Sequence, residues 1–73
     1  MIYGVRREMT LHRPILKYFR YEHLPVHLQN ISRPFEELAR LIANTPDMDI
    51  GESEVALRKL LEAKDAAVRA ALR

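Results

Sequence analysis

With 73 residues, no cysteine and a net charge of +2, this chain has room for one domain, and that domain has no disulfide and no thiolate metal site. A core this small yields only a few kcal/mol of net stability. With disulfides excluded, contact with further copies of the chain is the expected source of extra burial. No apolar run approaches the roughly 20 residues that span a bilayer. Arg6, Arg7 and Glu8 are not followed by an uninterrupted apolar stretch, so no signal peptide is read and a cytoplasmic location is expected.

The charge is unevenly spread. Residues 1–33 hold Arg6, Arg7, Arg13, Lys17, Arg20 and Arg33 against Glu8 and Glu22, whereas residues 34–73 hold six basic and eight acidic side chains. An anionic ligand is therefore to be sought at the front of the chain, the plain alternative being a solvated basic arm.

Residues 1–12 carry no element signal and are read as an N-terminal arm, disordered in one reading; residues 13–73 are read as the folded domain. Pro14 can open a short helix through Phe19, since its ring pre-sets φ for a first helical position. That stretch and the residues after it interleave Tyr18, Phe19 and Tyr21 with Lys17, Arg20 and Arg33. Aromatic faces that stack bases beside cations that hold phosphates are the two parts of a nucleotide site. Alternatively, Tyr18 and Phe19 cap the core of the domain.

Leu24, Leu28, Ile31, Phe35, Leu38 and Ile42 step by four and three, which predicts a helical seam over 24–44. Pro25 suits the first turn. Pro34 removes the bond to the Asn30 carbonyl, so either the helix bends there or Ser32 caps a second, separate helix. The stretch from Asn44 to Asp49 contains Pro46-Asp47, which is turn chemistry, and so short a loop forces antiparallel neighbours.

The last segment is the clearest. Leu57, Leu60, Leu61, Lys64, Ala67, Val68 and Ala71 share one helical face, and Asp49 with Glu52 has the form of a capping box. Arg69 and Arg73 complement the helix dipole at the far end. A helix over 50–72 is predicted. A second face bears Val55, Ala56, Ala63, Ala66 and Ala70, small residues that let another helix approach, which argues for self-association. The expected fold is all-α: a short N-terminal helix, then an antiparallel two-helix hairpin, assembled as a homo-oligomer.

Catalytic constellations are poorly served. His23 and His27 are four apart, but Pro25 lies between them and no third ligand is evident, so no metal site is read. Ser32 and Ser53 fall at helix positions instead of on an elbow between glycines. Carboxylates sit where helix-surface pairs form, as in Glu54–Arg58, and Gly4 and Gly51 make no phosphate loop. No enzymatic activity and no cofactor are expected. Lys64 is out of place in an apolar seam: either its stem snorkels to solvent or its amine meets a phosphate.

Two stretches carry a family resemblance. YFRYEHLP (18–25), EELARLI (36–42), the Pro46-Asp47 turn and EVALRKLLEAKDAAVRA (54–70) resemble the hairpin domain of the phage anti-CBASS and anti-Thoeris cyclic-nucleotide sponge proteins, over about residues 18–72. The resemblance implies a homo-oligomer, commonly a hexamer, that binds and sequesters cyclic dinucleotides or trinucleotides in the host cytoplasm without cleaving them. By position it implies ligand-binding roles for Tyr21, His23, Pro25, Arg33, Arg58 and Lys59. Tyr21 would stack a base, Arg33 lies near where the family's first helix presents a basic side chain to phosphate, and Lys59 matches the lysine of the family's second-helix core. The chain departs from the family pattern at Glu22, which interrupts the Tyr-His pair, at Pro34, at Arg58 in place of threonine, and in lacking a tryptophan near its C-terminal helix end. The alternative is a plain helical protein-interaction module or a nucleic-acid binder with a basic arm.

Overall fold

The computed structural model describes residues 13–72, and the expected N-terminal arm lies outside the described residues. Three helical elements follow in order: a 3₁₀ helix over Pro14–Phe19, α1 over Val26–Asn44 and α2 over Ile50–Leu72. Leu24 lies beside Val68 and Arg69, while Ile42 lies beside Ser53 and Ala56, so α1 and α2 run antiparallel. The 3₁₀ helix packs on both. Among the described residues no helix is long and apolar enough to cross a membrane.

The first element is where helix type decides the packing. In a 3₁₀ helix, side chains three apart eclipse one another. Arg13, Leu16 and Phe19 thus form a row facing the hairpin, whereas Pro14, Lys17 and Arg20 form an exposed row. Phe19 is fully buried and clusters with Ala39, Ala43 and Leu57. The Arg13 guanidinium donates to Glu54 Oε2 at 2.9 Å and to Ser53 Oγ at 3.1 Å. The Ser53 hydroxyl donates in turn to the Ile50 carbonyl at 2.9 Å.

A turn over residues 21–24 leads into α1, and the Gln29 amide secures it by donating to the carbonyls of Leu24 (2.8 Å) and Glu22 (3.3 Å). The helix starts at Val26, two residues later than expected, with Pro25 as its cap. The Pro25 carbonyl accepts from the amides of Leu28 and Gln29, both at 2.9 Å. Pro34 does not end the helix; α1 is continuous through it. Ser32 consequently caps nothing. It is a fully buried mid-helix residue whose hydroxyl has no hydrogen-bond partner among the described residues.

The α1 seam is turned from its expected position. Leu28, Ser32, Glu36, Ala39 and Ala43 are the buried residues. Ile31, Phe35 and Ile42 are half-buried, and Leu38 is 44% exposed. A two-helix seam would bury the largest apolar row, but here a third element wedges against the hairpin. Phe19 needs space beside it, and the alanines supply that space. The rotation leaves Glu36 buried against its neighbour Arg40, paired at 3.2 Å.

The connection behaves as its residues dictate. Asp47 adopts φ 67°, the left-handed conformation that Asp tolerates better than most residues. Asp49 caps α2: its carboxylate accepts the Glu52 amide at 2.8 Å, and its carbonyl accepts the Ser53 amide at 2.9 Å. On α2, Leu57 is fully buried and Leu60, Leu61, Lys64, Ala67 and Val68 are half-buried as expected, while Ala71 is exposed. Ala63, Ala66 and Ala70 are exposed as well.

Two substitutions test this packing by thermal melting. Arg13→Ala loses two hydrogen bonds donated by a cation, one to a carboxylate and one to a hydroxyl, which are worth about 1–2 kcal/mol after allowing for the partial exposure of Glu54. For a domain of this size that lowers Tm by roughly 4–16 °C, and Arg13→Lys does not restore it because a single ammonium lacks the fork geometry. Ser32→Ala removes a buried hydroxyl without a partner and raises stability by about 1 kcal/mol. A fall in Tm for that variant would mean that the hydroxyl is bonded.

Candidate anion-binding groove

Where the 3₁₀ helix and the following turn lie along the C-terminal half of α2, they leave a groove of about 330 Å³. Lys17, Tyr18, Arg20, His23 and Leu24 form one wall, and Lys64, Asp65, Val68 and Arg69 form the other. Helical spacing accounts for the second wall: Lys64 and Val68 are four apart, as are Asp65 and Arg69, so two adjacent rows present a cation each. On the first wall, the three-residue period of the 3₁₀ helix aligns Lys17 with Arg20.

The electrostatics follow from this convergence. Four cations meet a single carboxylate, Asp65. Lys64 is the most sequestered cation: its side chain is 13% exposed, and its Nζ lies 2.9 Å from Asp65 Oδ1. The snorkelling expected of Lys64 therefore ends in the groove. Lys17, Arg20 and Arg69 are exposed and Lys64 is half-buried; like charges gathered on one groove repel one another, and a bound anion relieves that repulsion. Tyr18 adds an aromatic surface, 56% exposed, with Lys17 Nζ 5.2 Å from its ring centroid. Its neighbour Phe19 is wholly in the core, so the two aromatics divide the roles that the sequence left open for both.

The residues singled out from the sequence are partly reunited. His23 lines the groove. Tyr21 and Arg33 come together away from that lining, with the guanidinium carbon 5.3 Å from the ring centroid, a cation–π contact. Pro25 is exposed at the start of α1, and Arg58 and Lys59 are exposed on α2 and do not line this groove. Sequence reasoning missed Asp65 and Arg69 as groove residues. Arg69 was visible only as a favourable charge at a helix end, and its i,i+4 relation to Asp65 was the available signal.

A second groove, also of about 330 Å³, lies at the hairpin end between Ile42, Met48, Asp49, Glu52, Ser53 and Ala56. Its two carboxylates repel anions. Ser53, the one hydroxyl there, is already committed to Arg13 and Ile50. The first groove can hold phosphate oxygens and stack a ring.

No protein family, curated protein or solved structure matches this chain.

Proposed function

We propose that this chain is a non-catalytic binding protein that captures cyclic oligonucleotides, di- or trinucleotides, and sequesters them in the cytoplasm, as the phage sponge proteins it resembles do. The observation that carries the reading is the groove in which Lys17, Arg20, Lys64 and Arg69 converge beside Tyr18. A cyclic dinucleotide is a compact dianion with two aromatic bases, and it asks for cations and a stacking surface in one small space. Sequestration also requires affinity near 1 nM, about −12 kcal/mol. A groove this open covers one face of such a ligand, so a second copy closing over it belongs to the same proposal. Exposed Leu38 and Leu41 on α1, together with Ala63, Ala66 and Ala70 on α2, support that association. The hexamer that the resemblance implies is its finer form.

Thermal melting with a panel of cyclic di- and trinucleotides, and linear dinucleotides as controls, tests the reading. A ligand bound only by the folded chain at a hundredfold over its Kd adds about 2.7 kcal/mol, and one cyclic species is expected to shift Tm accordingly. Lys64→Ala and Arg69→Ala should each weaken that ligand about tenfold or more, the worth of a charge-assisted hydrogen bond, with Arg58→Ala as a control outside the groove. No shift with any cyclic species overturns the proposal. Steep loss of affinity for DNA or RNA with salt would replace it by a polynucleotide binder.

Sedimentation equilibrium checks the assembly. The chain is expected at a multiple of its 8.5 kDa mass, and Leu41→Glu, which places a charge on the exposed apolar face, is expected to reduce it to monomer.

A further inference from the structure

We infer that Asp65 makes the groove selective for guanine over adenine; the inference rests on the nucleotide reading of that groove. A carboxylate is an anomaly there. The other charged side chains in the lining, Lys17, Arg20, Lys64 and Arg69, are all cations, and a negative charge among them weakens the hold on any phosphate. Nor does the fold require it. The Asp65 side chain is 48% exposed, and among the described residues its polar contact is with its own neighbour Lys64, through Oδ1. That single contact leaves most of the carboxylate's acceptor capacity unused, since its two oxygens offer about four lone-pair positions.

A base bound in the groove decides what this costs. Guanine offers two parallel donors on its Watson–Crick edge, the ring N1–H and the exocyclic N2 amine, and a carboxylate accepts both. Adenine offers one amine there beside a ring nitrogen acceptor, whose lone pair faces the carboxylate's own. Single-stranded and extruded bases are read on this edge while their faces stack on aromatic side chains. Tyr18 supplies the stacking surface on the opposite wall. The cations then bind the phosphates without regard to base, and Asp65 alone discriminates. Lys64 Nζ, 2.9 Å from Oδ1, steadies the carboxylate through one lone pair of that oxygen, and the other lone pair of Oδ1 together with Oδ2 is left for the two guanine donors.

The test is isothermal titration of the full chain and its Asp65→Asn variant with cyclic diguanylate and cyclic diadenylate. The unmodified chain is expected to favour the guanine ligand by about tenfold to a hundredfold, the discrimination that a good bidentate pair gives. Asp65→Asn is expected to tighten the adenine ligand, by removing the negative charge, and to weaken the guanine ligand, so the preference collapses by at least about tenfold. A Tm within about 2 °C of the unmodified chain, as surface substitutions usually give, separates this from a structural effect. Equal binding of both ligands, or equal tightening of both by Asp65→Asn, overturns the role of Asp65 and leaves the groove as a base-blind phosphate site. Binding of neither ligand overturns the role of Asp65, and the groove reading falls with it when the wider panel of cyclic di- and trinucleotides also leaves Tm unchanged.

Discussion

The burial of Phe19 against Ala39, Ala43 and Leu57 is the contact on which the other features depend. Phe19 is among the largest fully buried side chains of the chain, and burying a phenylalanine side chain is worth about 1.5–3 kcal/mol, a large share of what so small a domain can have. It sits at the end of a 3₁₀ helix whose inward row also contains Leu16 and Arg13. The ring fixes one end of that row, and the Arg13 bonds to Ser53 and Glu54 fix the other. With both ends held, the backbone that carries Lys17, Tyr18 and Arg20 is set against α2. Without the ring, the segment has no apolar reason to lie there, and the first wall of the groove is lost.

The same contact explains why the hairpin is packed unlike a two-stranded coiled coil. Wedging a third element against α1 and α2 turns α1, carrying Ser32 and Glu36 inward and Leu38 outward. This arrangement is costly for an isolated chain. A buried hydroxyl without a partner, a buried carboxylate with one exposed partner, and exposed leucines all reduce stability. Exposed Leu38 and Leu41 on α1 and the exposed alanines on α2 are what a surface facing other copies would present. Packing and assembly are in this sense one question for the chain.

The proposed function rests on charge placement. The groove concentrates cations that repel one another, with Asp65 relieving part of that repulsion at Lys64. A dianionic ligand would relieve the rest, so its affinity would come from groups already held in place by the fold. Preorganisation of this kind limits the entropy lost on binding. The Tyr21–Arg33 pair lies just outside, at the joint between the turn and α1. Its cation–π contact steadies the turn that carries His23.

Several features were legible in the sequence because they depend on neighbours in the chain. The Asp49 cap, the short Pro46-Asp47 connection, the antiparallel hairpin and the seam of α2 all follow from spacings of three and four and from local turn chemistry. The sequence also marked Lys64 as misplaced and the front of the chain as basic. Other features needed the tertiary structure, because they depend on which surfaces compete for burial. Periodicity could not show that Pro14–Phe19 is a 3₁₀ helix, since six residues fit a three-residue and a 3.6-residue period almost equally well. It could not show that Pro34 is carried inside one helix, or that Ser32 and Glu36, not Leu38, face inward. It also could not join Lys17 and Arg20 to Lys64 and Arg69, some forty-five residues apart in the chain. That union is set by Phe19 and Arg13 docking on the hairpin, and hydrophobic burial has no sequence direction.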